Sequence, residues 1–124
     1  MPIAMTDEQR AAQAGVREWA AKAERPVHWP DLARLGVFSL TRPDEGGGLV
    51  DLAAVLEQAA DSLVPGPVLT TALAGVLLAD TDLAHSLADG SATVALALSG
   101  GTVRTVRRAD GGLVADGEVG HVLG

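Results

Sequence analysis

Cysteine is absent from the 124 residues, which excludes disulfides, thiolate metal ligands and a cysteine nucleophile. Aromatic side chains are nearly absent as well. Trp19, Trp29 and Phe38 are the full set, and there is no tyrosine. A core must therefore be built from Ala, Leu and Val through many small contacts. Lysine occurs once, at Lys22. Long apolar runs are missing too: the most apolar stretch, Leu69 to Ala79, is too short to span a hydrocarbon layer of about 30 Å and reads as a buried helix. The opening MPIAMTDEQR has no basic region followed by an apolar one, so no export leader is read there, and the cytoplasm is the expected location. No internal repeat and no low-complexity segment occurs.

Hydrophobic residues make up 48% of the chain, sufficient for the core of one domain of about 100–150 residues. The net charge is −7, and the whole excess lies in residues 1–90. Beyond residue 90, Arg104, Arg107 and Arg108 balance Asp110, Asp116 and Glu118. An acidic chain repels phosphate backbones, so nucleic acid is not an expected partner. The three arginines read more simply as a solvated strand face than as an anion site.

Helical signals fill the first part. Thr6-Asp7-Glu8-Gln9 fits a capping box, with acids at the positive end of the helix dipole. Ala12, Val16, Trp19 and Ala20 follow at helical spacing, and Pro26 ends that helix near Glu24. Pro30 opens a short helix over Asp31 to Leu35, with Leu32 and Leu35 apolar. Gly36 stops it as a left-handed cap. Val37 to Leu40 is read as extended, Pro43 turns Arg42 away from helix, and Asp44 to Gly48 form a loop. A third helix is expected from a cap at Asp51 to about Leu63, burying Leu52, Val55, Leu56, Ala59, Ala60 and Leu63. Pro65-Gly66-Pro67 breaks it, Pro67 starts a fourth helix to about Ala79, and Asp80 or Thr81 caps a fifth to Ala88 with Gly90 beyond.

At Ser91 the periodicity changes. Ala92 to Leu98 is a continuous run of small apolar residues and Thr102 to Arg107 partly alternates. Asp110-Gly111-Gly112 and Asp116-Gly117 read as hairpin turns. The fold expected is mainly α: a helical bundle over residues 1–90, then a few strands of an incomplete β-domain over 91–124. Two or three strands without the rest of a sheet leave edges unpaired.

Residue chemistry by itself assigns no active site. His28, His85 and His121 are far apart in sequence and have no metal spacing. Asp7/Glu8, Asp44/Glu45 and Asp80/Asp82 sit where capping and solvation explain them. Gly46-Gly47-Gly48 lacks the Lys-Ser/Thr partner of a phosphate loop. No catalytic residue and no metal ligand is assigned.

Three blocks nevertheless stand in a distinctive order: TDEQRAAQAGVREWA, then WPDLARLGVFSLTRPDEGGG, then VDLAAVLEQAADSL. They resemble the N-terminal helical domain of the acyl-CoA dehydrogenases, with its TxEQ helix, LxxLGxxxLxxPExxGG segment and DxxxVxExxA helix. The likeness is strongest over 6–67 and weaker to 124. It implies a piece or shortened relative of a flavin-dependent enzyme that dehydrogenates acyl-CoA thioesters at the α,β-bond, uses FAD, and passes electrons to an electron-transfer flavoprotein. It also implies a homo- or hetero-oligomer. The piece would supply one wall of the substrate cleft and subunit packing and would not be active alone. The family's ALTEPxAGSD strand has a partial counterpart in Ala97-Leu98-Ser99-Gly100. This places Leu98 and Ser99 at the flavin, with the Ser99 hydroxyl where the family has threonine. Its GxKxWITN strand is similar to Gly117–Gly124, which places Val122 there too. His121 replaces the aromatic and Leu123 the threonine; leucine cannot supply the hydroxyl's hydrogen bond, so two of the usual flavin contacts are eroded. The family's glutamate base lies in a C-terminal domain, with no counterpart here. The alternatives are a non-catalytic or degenerate subunit of a heteromeric dehydrogenase, which the His121 and Leu123 departures favour, and a small helical interaction module.

Overall fold

A computed structural model describes residues 4–124. Its elements run α1 (Asp7–Lys22), α2 (Trp29–Ala33), α3 (Leu49–Asp61), α4 (Val68–Leu77), α5 (Leu83–Ala88), β1 (Leu96–Ala97), β2 (Gly101–Arg107), β3 (Leu113–Val119) and β4 (Val122–Leu123). The chain is mainly α with a small antiparallel β portion, as its periodicity predicts.

The capping box at α1 is complete. The Gln9 backbone N–H donates to Thr6 Oγ1 at 3.2 Å, and the Thr6 N–H donates to Gln9 Oε1 at 3.0 Å. Replacing Thr6 with Ala is expected to cost about 1 kcal/mol, read as a lowered urea midpoint.

Helices α1 and α3 lie side by side in parallel, held by a ladder of polar contacts. Gln9 Nε2 donates to Asp51 Oδ1 at 2.7 Å, Gln13 Nε2 to the Ala54 carbonyl at 2.9 Å, and Arg17 to Gln58 Oε1 at 2.6 Å. Gln9, Gln13 and Arg17 recur every fourth residue and so share one face of α1. Gln58 is buried and passes its own amide hydrogens to Ser62 and Asp61. Buried polar groups stabilise only when satisfied. Among the described residues no buried side-chain polar atom lacks a partner. Beside this ladder the core gathers Val16, Leu32, Val37, Phe38, Leu52, Val55, Ala59, Val68 and Ala72, with Trp29 stacked on Phe38 at 5.5 Å between ring centroids.

Asp51 is not the cap of α3. Gly48 is, and Asp51 lies three residues inside, where its carboxylate accepts from the Gly48 N–H at 2.7 Å. The Gln9 amide first, and then this backbone N–H, hold the Asp51 carboxyl below its ordinary range. A carboxyl depressed by folding stabilises the fold at neutral pH, and that contribution is lost as pH falls through its folded pKa. Asp51→Asn is therefore expected to flatten the acid side of the stability–pH curve. Urea midpoints for both proteins from neutral to acid pH check this.

Several sequence expectations are corrected. Val37 to Leu40 is not extended: the Ser39 and Leu40 N–H groups both donate to the Gly36 carbonyl, making a tight helical turn that buries Val37 and Phe38. Gly36 does take the left-handed conformation, at φ +81°. Helix α1 ends at Lys22 rather than near Glu24, and α2 ends at Ala33, leaving Leu35 exposed. In α3, Leu52, Val55 and Ala59 are buried, but Ala60 is exposed and Leu63 is 76% exposed in a left-handed turn. The apolar stretch in α4 is not buried throughout. Thr70, Thr71, Ala72 and Ala74 face inward while Leu69 and Leu77 face outward. Asp82 caps α5 without a side-chain bond, and the Thr81 hydroxyl donates backward to the Leu78 carbonyl. Of the run Ala92 to Leu98, only Leu96–Ala97 is strand. Asp116-Gly117 is no turn; both residues sit within β3, paired with Arg104 and Val103. No helix among the described residues is long and apolar enough to cross a membrane.

Candidate functional site

The segment leaving the helical bundle is fastened to α4 by two buried threonines. Thr70 Oγ1 donates to the Val94 carbonyl at 2.7 Å, and the Val94 N–H donates to Thr71 Oγ1 at 3.2 Å. One residue's donor and acceptor are thus both taken up by neighbouring hydroxyls. Removing one partner leaves a half-buried group unpaired, at a cost of about 1–3 kcal/mol. Thr71→Val is expected to destabilise by that amount and to speed hydrogen exchange at Val94 more than in the core of α1; a uniform change would contradict this local anchor.

Beyond the anchor, the strands pair as two short ladders. β1 pairs antiparallel with β4, Leu96 with Leu123 and Ala97 with Val122. β2 pairs antiparallel with β3, from Gly101 with Val119 to Arg107 with Leu113. Between them the Gly120 N–H donates to the Gly100 carbonyl at 3.1 Å. The two registers differ by one residue. Leu98 and Ser99 on the first strand therefore stand against His121 alone on the second. This is a β-bulge, and it joins both ladders into a single long hairpin. A bulge bends the strand, increases its twist and re-aims side chains. Asp110-Gly111-Gly112 forms the far turn, where the Arg108 N–H donates to the Gly112 carbonyl at 2.7 Å.

All three residues expected at a flavin lie on this hairpin. Leu98 and Ser99 make the bulge, and Val122 is the second-strand neighbour of His121, paired with Ala97. The structure brings them close along the ribbon, and all three are exposed. Leu123, which replaces the family's threonine, pairs with Leu96 and has no hydroxyl to offer. Ser99 makes no side-chain hydrogen bond among the described residues, so its hydroxyl is available to a ligand. Leu98, Ser99 and Val122 lie outside the grooves that α1, α3 and their neighbouring segments form. The ribbon thus offers one hydroxyl and a backbone edge on an exposed surface.

The other titratable candidates are accounted for locally. His28 Nδ1 lies 3.2 Å from Asp31. His85 lies 3.4 Å from Arg42, whose Nε reaches Asp44 at 3.2 Å. The Asp44 backbone N–H, and then Arg42, keep the Asp44 carboxyl below its ordinary range. Ser91 does the same for Asp89, through its hydroxyl and then its N–H. Glu45 lines a small acidic groove with Glu8, Asp51 and Gly47, beside the side chain of Leu40. Among the described residues no group of three or more His, Asp or Glu side chains is arranged to hold a metal ion.

A helical bundle opened by a capped TDEQ helix thus runs through the WPDLARLG turn and leads into a β-hairpin. The chain belongs to the acyl-CoA dehydrogenase family. Its whole length aligns with acyl-CoA dehydrogenase FadE34 of Mycobacterium tuberculosis (strain ATCC 25618 / H37Rv), at 36% identity over an alignment 152 positions long. The match takes in 100% of this chain and 21% of that protein, so the chain spans about a fifth of its curated relative. No family model matches the sequence. No solved structure matches it either.

The residues that position the candidate site, Thr70 and Thr71, carry no sequence signal beyond polar side chains inside an apolar helix. The bulge could not be read in advance, because register is set between segments about twenty residues apart.

Proposed function

We propose that residues 1–90 act as the helical domain, and 91–124 as the opening of the β-domain, in a flavin-dependent acyl-CoA dehydrogenase. In that role the chain forms part of the wall of an acyl-CoA cleft and contributes to subunit packing. FAD supplies the family with acceptance of a hydride during α,β-dehydrogenation of an acyl-CoA thioester. This chain's share is placement: the Ser99 hydroxyl as a hydrogen-bond donor, and Leu98 and Val122 as apolar walls, on a hairpin fixed to α4 at Val94. The observation that carries the reading is identity to an acyl-CoA dehydrogenase along the whole chain. Electron-transfer flavoprotein is the proposed electron acceptor, and the cytoplasm the proposed location.

The test is reconstitution. The chain alone is expected to purify without flavin absorbance. Mixed with a polypeptide corresponding to the remaining sequence of the FadE34 relative, it is expected to retain FAD and to quench flavin absorbance on addition of an acyl-CoA. A mixture that binds neither FAD nor acyl-CoA would overturn the reading.

A second reading is favoured by His121 and Leu123: a subunit that keeps the fold but not a working flavin site, paired with an unlike, catalytic chain. If the reconstituted protein holds one flavin per copy without any other subunit, this second reading fails.

A further inference from the structure

We infer that His85 is a proton-operated latch between α5 and the loop that leads into α3. Neutral, it holds Arg42; protonated, it releases Arg42 and turns to Asp44 and Asp89. Among the described residues, α5 has only one side-chain hydrogen bond to any segment before it, and that bond joins His85 Nδ1 to Arg42 Nη1 at 3.4 Å. The Arg42 side chain is 27% exposed, and its Nε donates to Asp44 at 3.2 Å, so the guanidinium is fixed from the loop side. Next to His85, the Ser86 carbonyl accepts from the Ala92 N–H at 2.9 Å and from the Ser91 hydroxyl at 3.3 Å. The latch thus stands between the loop and the chain leaving the helical bundle.

A guanidinium has donors only, so it can bond Nδ1 only while that nitrogen is bare and the ring proton sits on Nε2. An imidazole is the side chain that ordinarily changes charge between about pH 5 and 8. Protonation turns Nδ1 into a second donor and sets two positive charges face to face where a hydrogen bond stood. Arg42 cannot yield its own proton, because a guanidinium stays charged across that range. Carboxylates are the alternative partners. Asp44 lies on the loop and Asp89 at the end of α5, and the charge of His85 reaches both. Both carboxyls are held below their ordinary range, chiefly by backbone hydrogen bonding at Asp44 and by the Ser91 hydroxyl at Asp89, so both are ionised when His85 gains its proton. Helix α4, which packs on α5, brings no charged side chain to the imidazole. Leu87, fully buried in α5, keeps the helix seated in both states, so one partner is exchanged for another without unfolding.

Neither FAD nor acyl-CoA enters the test, so it stands apart from the dehydrogenase reading. NMR spectra of the 124-residue chain are compared at about pH 8 and about pH 5, on either side of the ordinary imidazole range. Nuclear Overhauser contacts between the His85 ring and the Arg42 side chain are expected at the higher pH. At the lower pH they are expected to be lost and replaced by contacts to the side chain of Asp44 or Asp89. The Arg42 Nε–H resonance is expected to shift along the titration curve of the His85 ring. In His85→Gln, whose neutral amide keeps an acceptor but has no proton to gain, that resonance is expected to stay fixed while His28 and His121 titrate as before. His85 is exposed, and circular dichroism confirms that the variant keeps its fold. A ring that keeps its Arg42 contacts when protonated, that lacks them when neutral, or that leaves Arg42 without reaching either aspartate would overturn the proposal. So would an Arg42 resonance that still shifts in His85→Gln.

Discussion

Leu32→Ala is expected to destabilise the protein by about 2–5 kcal/mol. Leu32 is fully buried, at 0% exposure, in the cluster that also holds Val16, Val37, Phe38, Leu52 and Val55. Its helix has only five residues, so α2 contributes little structure of its own and relies on this anchor. Removing the side chain costs the lost burial and leaves a cavity that short loops on both sides cannot readily close. Domains of this size have total stabilities of about 5–15 kcal/mol, so the variant is expected to be partly unfolded at physiological temperature. A thermal melt followed by circular dichroism decides the matter. A midpoint close to that of the parent would mean that Leu32 is not central to the core.

Gly90→Ala is expected to cost about 2–4 kcal/mol, although it adds only one methyl group. Two effects combine. Gly90 has φ +76°, a left-handed conformation that a Cβ disfavours. A Cβ there would also lie 2.9 Å from the Trp29 carbonyl oxygen and 3.0 Å from the Ala33 Cβ. Both neighbours belong to α2, so relief would require moving the helix that holds Leu32. Gly90 therefore packs the end of α5 onto α2 at the point where the chain turns toward Val94. The expected outcome is lost stability together with faster hydrogen exchange around Val94. Gly46→Ala is the control. Its φ is also left-handed, at +74°, but no atom lies within 4 Å of the added Cβ. The smaller loss expected at Gly46 isolates the contribution of close packing at Gly90.

These two positions also show how the family's helical signature acts physically. The WPDLARLG segment supplies Leu32 and Ala33 to the core, Trp29 to stack on Phe38, and Gly36 to reverse the chain. The loop Asp44–Gly48 then leads into α3, whose first turn Asp51 closes by accepting from Gly48. A run whose spacing resembles a dehydrogenase motif is thus also the junction of α1, α2 and α3.

Local rules were enough to place what depends on neighbours in the chain. The Thr6–Gln9 box, the break at Pro65-Gly66-Pro67 and the turn at Asp110-Gly111-Gly112 are each determined by a few adjacent residues and are found as read; Gly36 takes its left-handed conformation, but α2 ends earlier, with Arg34 as its cap. The order of the three helical blocks also carried the family, which the 36% identity bears out. What local rules could not supply was every choice made between distant segments. The inward side of α4 is chosen by Val94, whose backbone needs the hydroxyls of Thr70 and Thr71, so Leu69 and Leu77 turn outward against their own hydropathy. Val37 to Leu40 has the composition of a strand but finds no partner strand, and it coils so that Val37 and Phe38 reach the core. The bulge of Leu98 and Ser99 against His121 follows from pairings on either side that differ by one residue. By itself the sequence determined the helical class, the caps, the turns and the kinship. Tertiary structure alone decided which side chains are buried and which residues of the hairpin face one another, because burial and register are set by contacts between segments far apart in the chain.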